Sequence, residues 1–156
     1  MVLSTFTLLF LLPVITILGT ERYIRATSSH IIRSGAYPNC VNALSATYFF
    51  ELLIRRQPLL KLLINIPSPI HTISNVEIVD QLFKPVSAEV LVTSDRVTVY
   101  FTQPVPSETK LIVLFKGVRT SDREGRVWHY SIYGRTTAIA SLVSLGEARI
   151  QTYKSS

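Results

Sequence analysis

From about Ser28 onward the chain is made of short runs in which apolar and polar residues alternate, broken by Pro, Gly, Asn, Asp and Ser. A period of two places successive side chains on opposite faces of an extended strand. No segment sustains a helical period with caps. This pattern confines the chain to an all-β fold whose sheets bury at least one face.

Eight strands are legible. Ala46 to Ile54 carries Tyr48, Phe50, Leu52 and Ile54 on one face, and Thr47, Phe49, Glu51 and Leu53 on the other. Arg55 to Pro58 reads as a turn. Leu59 to Ile66 follows, with Leu60, Leu62, Ile64 and Ile66 aligned, so the two runs are predicted to pair as a hairpin. Ser74 to Asp80 is a strand through Val76 and Ile78. Val86 to Thr93 and Arg96 to Thr102 flank a Ser94-Asp95 turn, with Val97, Val99 and Phe101 inward. Gln103 to Glu108, holding Pro104 and Pro106, reads as a loop, because proline cannot donate to a ladder. Thr109 to Phe115 is apolar on both faces in its middle, as a central strand would be. Arg126 to Tyr133 places Trp128, Tyr130 and Ile132 on one face, and Leu145 to Tyr153 closes the set. Eight short strands with turns at this spacing predict one antiparallel β-sandwich over 28–156, immunoglobulin-like in general layout.

Residues 1–26 differ in kind. Met1 to Gly19 has no charged side chain, and its apolar run is broken only by Ser4, Thr5, Thr7, Pro13 and Thr16. A domain this small rarely encloses such a helix fully, and a membrane is the better solvent for it. Two readings stay open. One is a secretory signal cleaved after Ala26, which supplies the small residue before the cut. The other is an uncleaved hydrophobic helix that anchors the β domain as a single-pass tether. Pro13 suits the first. The arginines follow the apolar run rather than precede it, which by charge placement suits the opposite orientation. Both readings predict an exported protein, periplasmic or held at the membrane, that touches the membrane through this segment only.

The formal charge is +6. Glu21, Arg22 and Arg25 contribute +1, so +5 belongs to the rest of the chain. A basic surface attracts anionic partners such as acidic glycans or lipid headgroups. Export would keep the protein from nucleic acid, so none is expected as a partner. Cys40 is the single cysteine, which rules out an intrachain disulfide.

Several segments resemble one known family. They are Val41-Asn42-Ala43-Leu44-Ser45-Ala46-Thr47-Tyr48-Phe49-Phe50, Val97-Thr98-Val99-Tyr100-Phe101 with Gln103-Pro104-Val105-Pro106, Leu111 to Arg119, Gly125-Arg126-Val127-Trp128-His129-Tyr130, and Leu145-Gly146-Glu147-Ala148-Arg149-Ile150. Together they are similar to the exported cyanobacterial proteins of domain-of-unknown-function family 2808. The likeness covers most of the chain after Ser28. It implies a secretory signal and a β domain in the cell envelope, and it carries no functional residues, because the family has no established activity.

The sequence offers no catalytic signature. His30, His71 and His129 are isolated, so no metal-ligand spacing is present. There is no Gly-x-Ser-x-Gly elbow and no glycine-rich phosphate loop, and no cofactor is implied. Asp122 and Glu124 lie in a polar turn. The binding candidate is a basic-aromatic zone in which Arg119, Arg123, Arg126 and Arg135 surround Trp128, Tyr130 and Tyr133. Arginine forks hold carboxylate, sulfate or phosphate, and an exposed ring can stack on a sugar. In the alternative, the large aromatics fill the core and the arginines solvate its rim. The expected function is a non-enzymatic envelope module that binds a protein, a glycan or an anionic surface. The rival reading is an exported enzyme built around His129, Ser131 and Tyr133.

Overall fold

The computed structural model of the protein describes residues 28–154 apart from 69 and 122. The hydrophobic helix expected in residues 1–26 and the Asp122 half of the acidic pair therefore lie outside the described residues. Ten strands are present: β1 (His30–Tyr37), β2 (Ala46–Leu53), β3 (Leu59–Asn65), β4 (Ile70–Thr72), β5 (Asn75–Asp80), β6 (Ala88–Val92), β7 (Arg96–Val105), β8 (Lys110–Thr120), β9 (Val127–Thr136) and β10 (Val143–Gln151). There is no helix among the described residues.

The strands form two antiparallel sheets packed face to face. In the first, β1, β2 and β8 are neighbours in that order, and β4 and β5 share the far side of β8. The second has the order β10-β9-β3-β7-β6. The core lies between them. Tyr48, Phe50, Leu52, Leu111, Val113 and Phe115 of the first sheet meet Leu62, Ile64, Val97, Val99, Trp128, Tyr130 and Ile132 of the second. Phe50 sits edge-on to Phe115 and to Tyr130, with ring centroids 5.0 Å apart in each case. This is an immunoglobulin-like β-sandwich, as the alternation predicts.

Three differences from the sequence reading have physical causes. First, β2 and β3 do not form a hairpin: β2 pairs with β1 and β8, and β3 pairs with β7 and β9. The Arg55–Pro58 turn crosses between sheets, bringing Ile54 and Leu59 into the core from opposite layers. Second, the register of β3 shifts between Leu59 and Lys61. This bulge turns Leu59 inward in place of Leu60. Third, β7 runs on through Gln103-Pro104-Val105, which reads as a loop in sequence. Its β6 neighbour ends at Ala88, opposite Phe101, and its register with β3 breaks between Tyr100 and Val105, so Pro104 lies where neither neighbour pairs with it. Strands β1 and β4 complete the ten. Neither announces itself, since β1 has little alternation and β4 has three residues.

Candidate functional site

The structure separates the residues of the basic-aromatic zone. Trp128 is 1 % exposed and Tyr130 fully buried, so neither ring offers a face for stacking. The Trp128 indole Nε1–H donates to Thr152 Oγ1 at 2.8 Å. Arg126 lies over the Trp128 ring, 5.3 Å from its centroid, and closes that side. Arg119 donates from Nε to the carbonyl of Leu44 at 3.3 Å. Arg119 and Arg123 share a shallow depression with Asn42 and Ser121 at one end of the sandwich. Arg135 stands at the other end of β9, across from Lys61 and roughly 30 Å from Arg126. The zone is thus brought together in two pairs, Arg119 with Arg123 and Arg126 with the buried Trp128.

His129 lies on the exposed outer face of β9. Its Nδ1 is 2.7 Å from Glu147 Oε1, and Arg149 Nε is 3.5 Å from the same oxygen. The hydrogen bond from His129, aided by Arg149, holds the Glu147 carboxyl below its ordinary range. This is an ion-paired surface cluster on a flat sheet. Among the described residues no group of three or more His, Cys, Asp or Glu could hold a metal ion.

A different surface has the form of a binding site. The outer face of the first sheet is apolar where solvent would favour polar residues. Two successive cross-strand rows build it: Arg33, Glu51, Ile112 and Val79, then Gly35, Phe49, Leu114 and Glu77. The sequence sets this directly, because Phe49, Ile112 and Leu114 occupy the outward positions of β2 and β8. The result is a groove of about 390 Å³ lined by Arg33, Tyr37, Phe49, Glu51, Phe83, Ile112 and Leu114, with Thr47 beside them.

Each wall has a local cause. Gly35 lies opposite Phe49, and a Cβ there would come within 2.8 Å of the Phe49 ring. Glycine therefore lets the ring lie down across β1. Arg33 covers the other side of that ring, 5.4 Å from its centroid, and its guanidinium donates to Glu51. Glu51 is 9 % exposed, shielded beneath Arg33. Phe83 arrives from the turn after β5. Asp80 Oδ1 accepts from the backbone N–H groups of Leu82 and Lys84 at 2.8 and 3.0 Å. Phe83 itself has φ +59°. That turn leaves Phe83 75 % exposed, and Tyr37 is 81 % exposed on β1. A Lys116–Glu77 ion pair at 2.7 Å borders the floor.

A second, larger depression of about 630 Å³ lies where β5, the start of β6 and the Pro104–Pro106 segment meet. Its polar side chains serve the chain's own turns. Asp80 holds the turn just described, Gln81 accepts from the N–H of Lys110, and Ser87 bonds to Thr102. The groove on the first sheet has buried Ile112 as its floor and exposed Tyr37 and Phe83 at its rim. The sequence signal for it was a strand, β8, apolar on both faces while its sheet has a partner on one.

No protein-family model matches the sequence, and no curated protein does. Solved structures share the fold. Domains D2 and D3 of the major pilin SpaD from Corynebacterium diphtheriae superpose with a TM-score of 0.51 at 11 % identity, over 81 % of this chain and 52 % of that one. The major pilin subunit BcpA of Bacillus cereus gives 0.51 at 9 %, over 80 % and 40 %. The Enterococcus faecalis adhesin ACE, an MSCRAMM described as binding its ligands by a collagen hug, gives 0.50 at 9 %, over 80 % and 50 %. The chain spans about half or less of each, and at these identities the likeness is one of fold.

Proposed function

We propose that this protein is an exported, non-enzymatic binding module of the cell envelope. We propose further that it takes an extended polypeptide with apolar side chains along the outer groove of the first sheet. The observation that carries this reading is an apolar groove on the outer face of the first sheet, with buried Ile112 as its floor, half-buried Phe49 and Leu114 beside it, and Tyr37 and Phe83 exposed at its rim. An apolar groove with exposed aromatic side chains at its rim marks an interaction site. Aromatic side chains with an arginine at the rim are the groups that carry interface energy.

The fold supports a binding module, since sandwiches of this type occur in pilins and in an adhesin described as binding its ligands by a collagen hug. The resemblance to the exported domain-of-unknown-function family 2808 and the apolar run of residues 1–26 support a location outside the cytoplasm, whether the segment is a cleaved signal or an anchor. The arginine depression of Arg119 and Arg123 is a secondary contact for an anionic envelope component.

The test is a titration of the isotopically labelled protein with two probes, a collagen-like triple-helical peptide and a single-chain peptide of alternating apolar residues. The expected shifts fall on Arg33, Phe49, Ile112 and Leu114, and Phe49→Glu removes them. No shift with either probe, or shifts confined to the second sheet, would sink the groove. Location is read separately, by fractionation and the mass of the N-terminus: a cytoplasmic, unprocessed species would refute export.

A further inference from the structure

A sheet with two ends has two rows of unpaired backbone groups, and stable sandwiches protect them. The edges formed by β5, β1 and β10 are protected. The outer side of β5 is taken by the chain that follows it, where Val86 N–H donates to the carbonyl of Ile78 at 2.9 Å and Asp80 N–H to that of Lys84 at 3.0 Å. Strands β1 and β10 lie against each other across the flank, joined by Ser34 Oγ–H to the carbonyl of Arg149 at 2.9 Å, and each carries a register break. Strand β6 ends the second sheet without any of these devices. It contains no Lys, Arg or Pro, its register with β7 is unbroken, and no other strand pairs with it among the described residues.

The hydrogen bonds fix which groups β6 presents. Thr102 N–H donates to the carbonyl of Ser87, and Thr93 N–H to that of Arg96. Antiparallel alternation then assigns Glu89 and Leu91 to the ladder with Tyr100 and Thr98. Ala88, Val90 and Val92 therefore point their N–H and C=O groups away from the sheet. Leu91 is 49 % and Val92 47 % exposed, while Ala88 and Val90 pack on the core.

We propose that β6 is a homotypic pairing edge, which joins antiparallel to β6 of a second copy about a two-fold axis through Val90. The strand is self-complementary in that arrangement. Val90 faces Val90 of the partner, and Ala88 faces Val92, so the three outward-pointing positions bond in reciprocal pairs. Their side chains are all apolar and continue the core across the join. On the other face Glu89 meets Leu91, so no like charges stand opposite each other. The neighbouring Arg96 is already matched by Asp95 at 3.3 Å. One five-residue edge is a small interface, so the dimer is weak and forms by concentration.

The experiment is sedimentation velocity of the purified full-length chain in mild detergent across a concentration series, with two variants. Val90→Pro deletes an N–H that faces the edge and none that faces β7. Leu91→Glu places a like charge opposite Glu89 of the second copy, on the exposed side, and leaves the core untouched, which keeps the test valid if the proline variant folds poorly. Concentration-dependent dimers in the native chain, weakened about tenfold or more by Leu91→Glu, support the pairing. A monomer at every concentration overturns it and leaves the edge to a foreign strand. Dimers that survive both variants also overturn it, since they must use another surface.

Discussion

Replacing Phe49 and Phe50 by alanine, one at a time, separates the two faces of β2. The two residues are adjacent and chemically identical, and the pleat alone divides them. Phe50 is fully buried between Phe115 and Tyr130. Its removal leaves a cavity and should cost about 3–5 kcal/mol. That is a large part of the roughly 5–15 kcal/mol available to a domain. Phe49 is half-buried and rests on Gly35 under Arg33. Its alanine variant loses about 1 kcal/mol of partial burial and about 0.5–1 kcal/mol of cation–ring attraction. The expected difference is therefore about 2 kcal/mol or more. Equilibrium urea unfolding reads it through Trp128, the single tryptophan, which is buried in the native core. The midpoints should separate at unchanged slope. Equal losses would refute the reasoning, because Phe49 would then belong to the core and the groove would not be spare surface.

Two further outcomes follow from the same core. Tyr130 Oη is buried with no hydrogen-bond partner among the described residues, so Tyr130→Phe should raise stability by about 1 kcal/mol in thermal unfolding, and a comparable fall would mean that the hydroxyl is bonded. Burial lifts the Tyr48 phenol from 10.0 to about 12, and burial plus the neighbouring Tyr48 lifts Tyr130 further. A folded pKa raised above the unfolded value contributes stability that is complete below pH 10 and is lost as pH rises through the folded value. Tyrosinate absorbance should therefore show Tyr48 and Tyr130 ionising only as the domain unfolds. Ionisation of Tyr48 and Tyr130 with the fold intact would contradict this.

The strands were legible where one face is buried, because alternation is then forced. Val97, Val99 and Phe101 point inward as expected, as do Trp128, Tyr130 and Ile132. Partners were not legible. Alternation says which way Leu52 or Leu62 faces, and nothing about which strand lies beside it, so β2 and β3 read as a hairpin while they stand in opposite sheets. The bulge at Leu59 was hidden for a related reason, since an extra residue changes the facing without changing the composition. Strand β1 was missed because Arg33, Ser34 and Gly35 break its apolar pattern; those residues serve the groove and the contact with β10. The basic-aromatic zone assembled residues close in sequence that the pleat then separated, Trp128 to the core and Arg135 to the far end of β9. The groove was present in the sequence as Phe49, Ile112 and Leu114. Their outward direction counts as exposure only once a two-layer fold is known to cover one face of each sheet.

The most direct test of the central claim is photo-crosslinking in living native cells from a reactive residue placed at Tyr37, in the groove, with Tyr100 on the second sheet as the control. The account expects adducts to a polypeptide of the cell envelope from Tyr37 and not from Tyr100, lost when Phe49→Glu is added. No adduct from Tyr37, equal adducts from both positions, or adducts only to cytoplasmic proteins would contradict it.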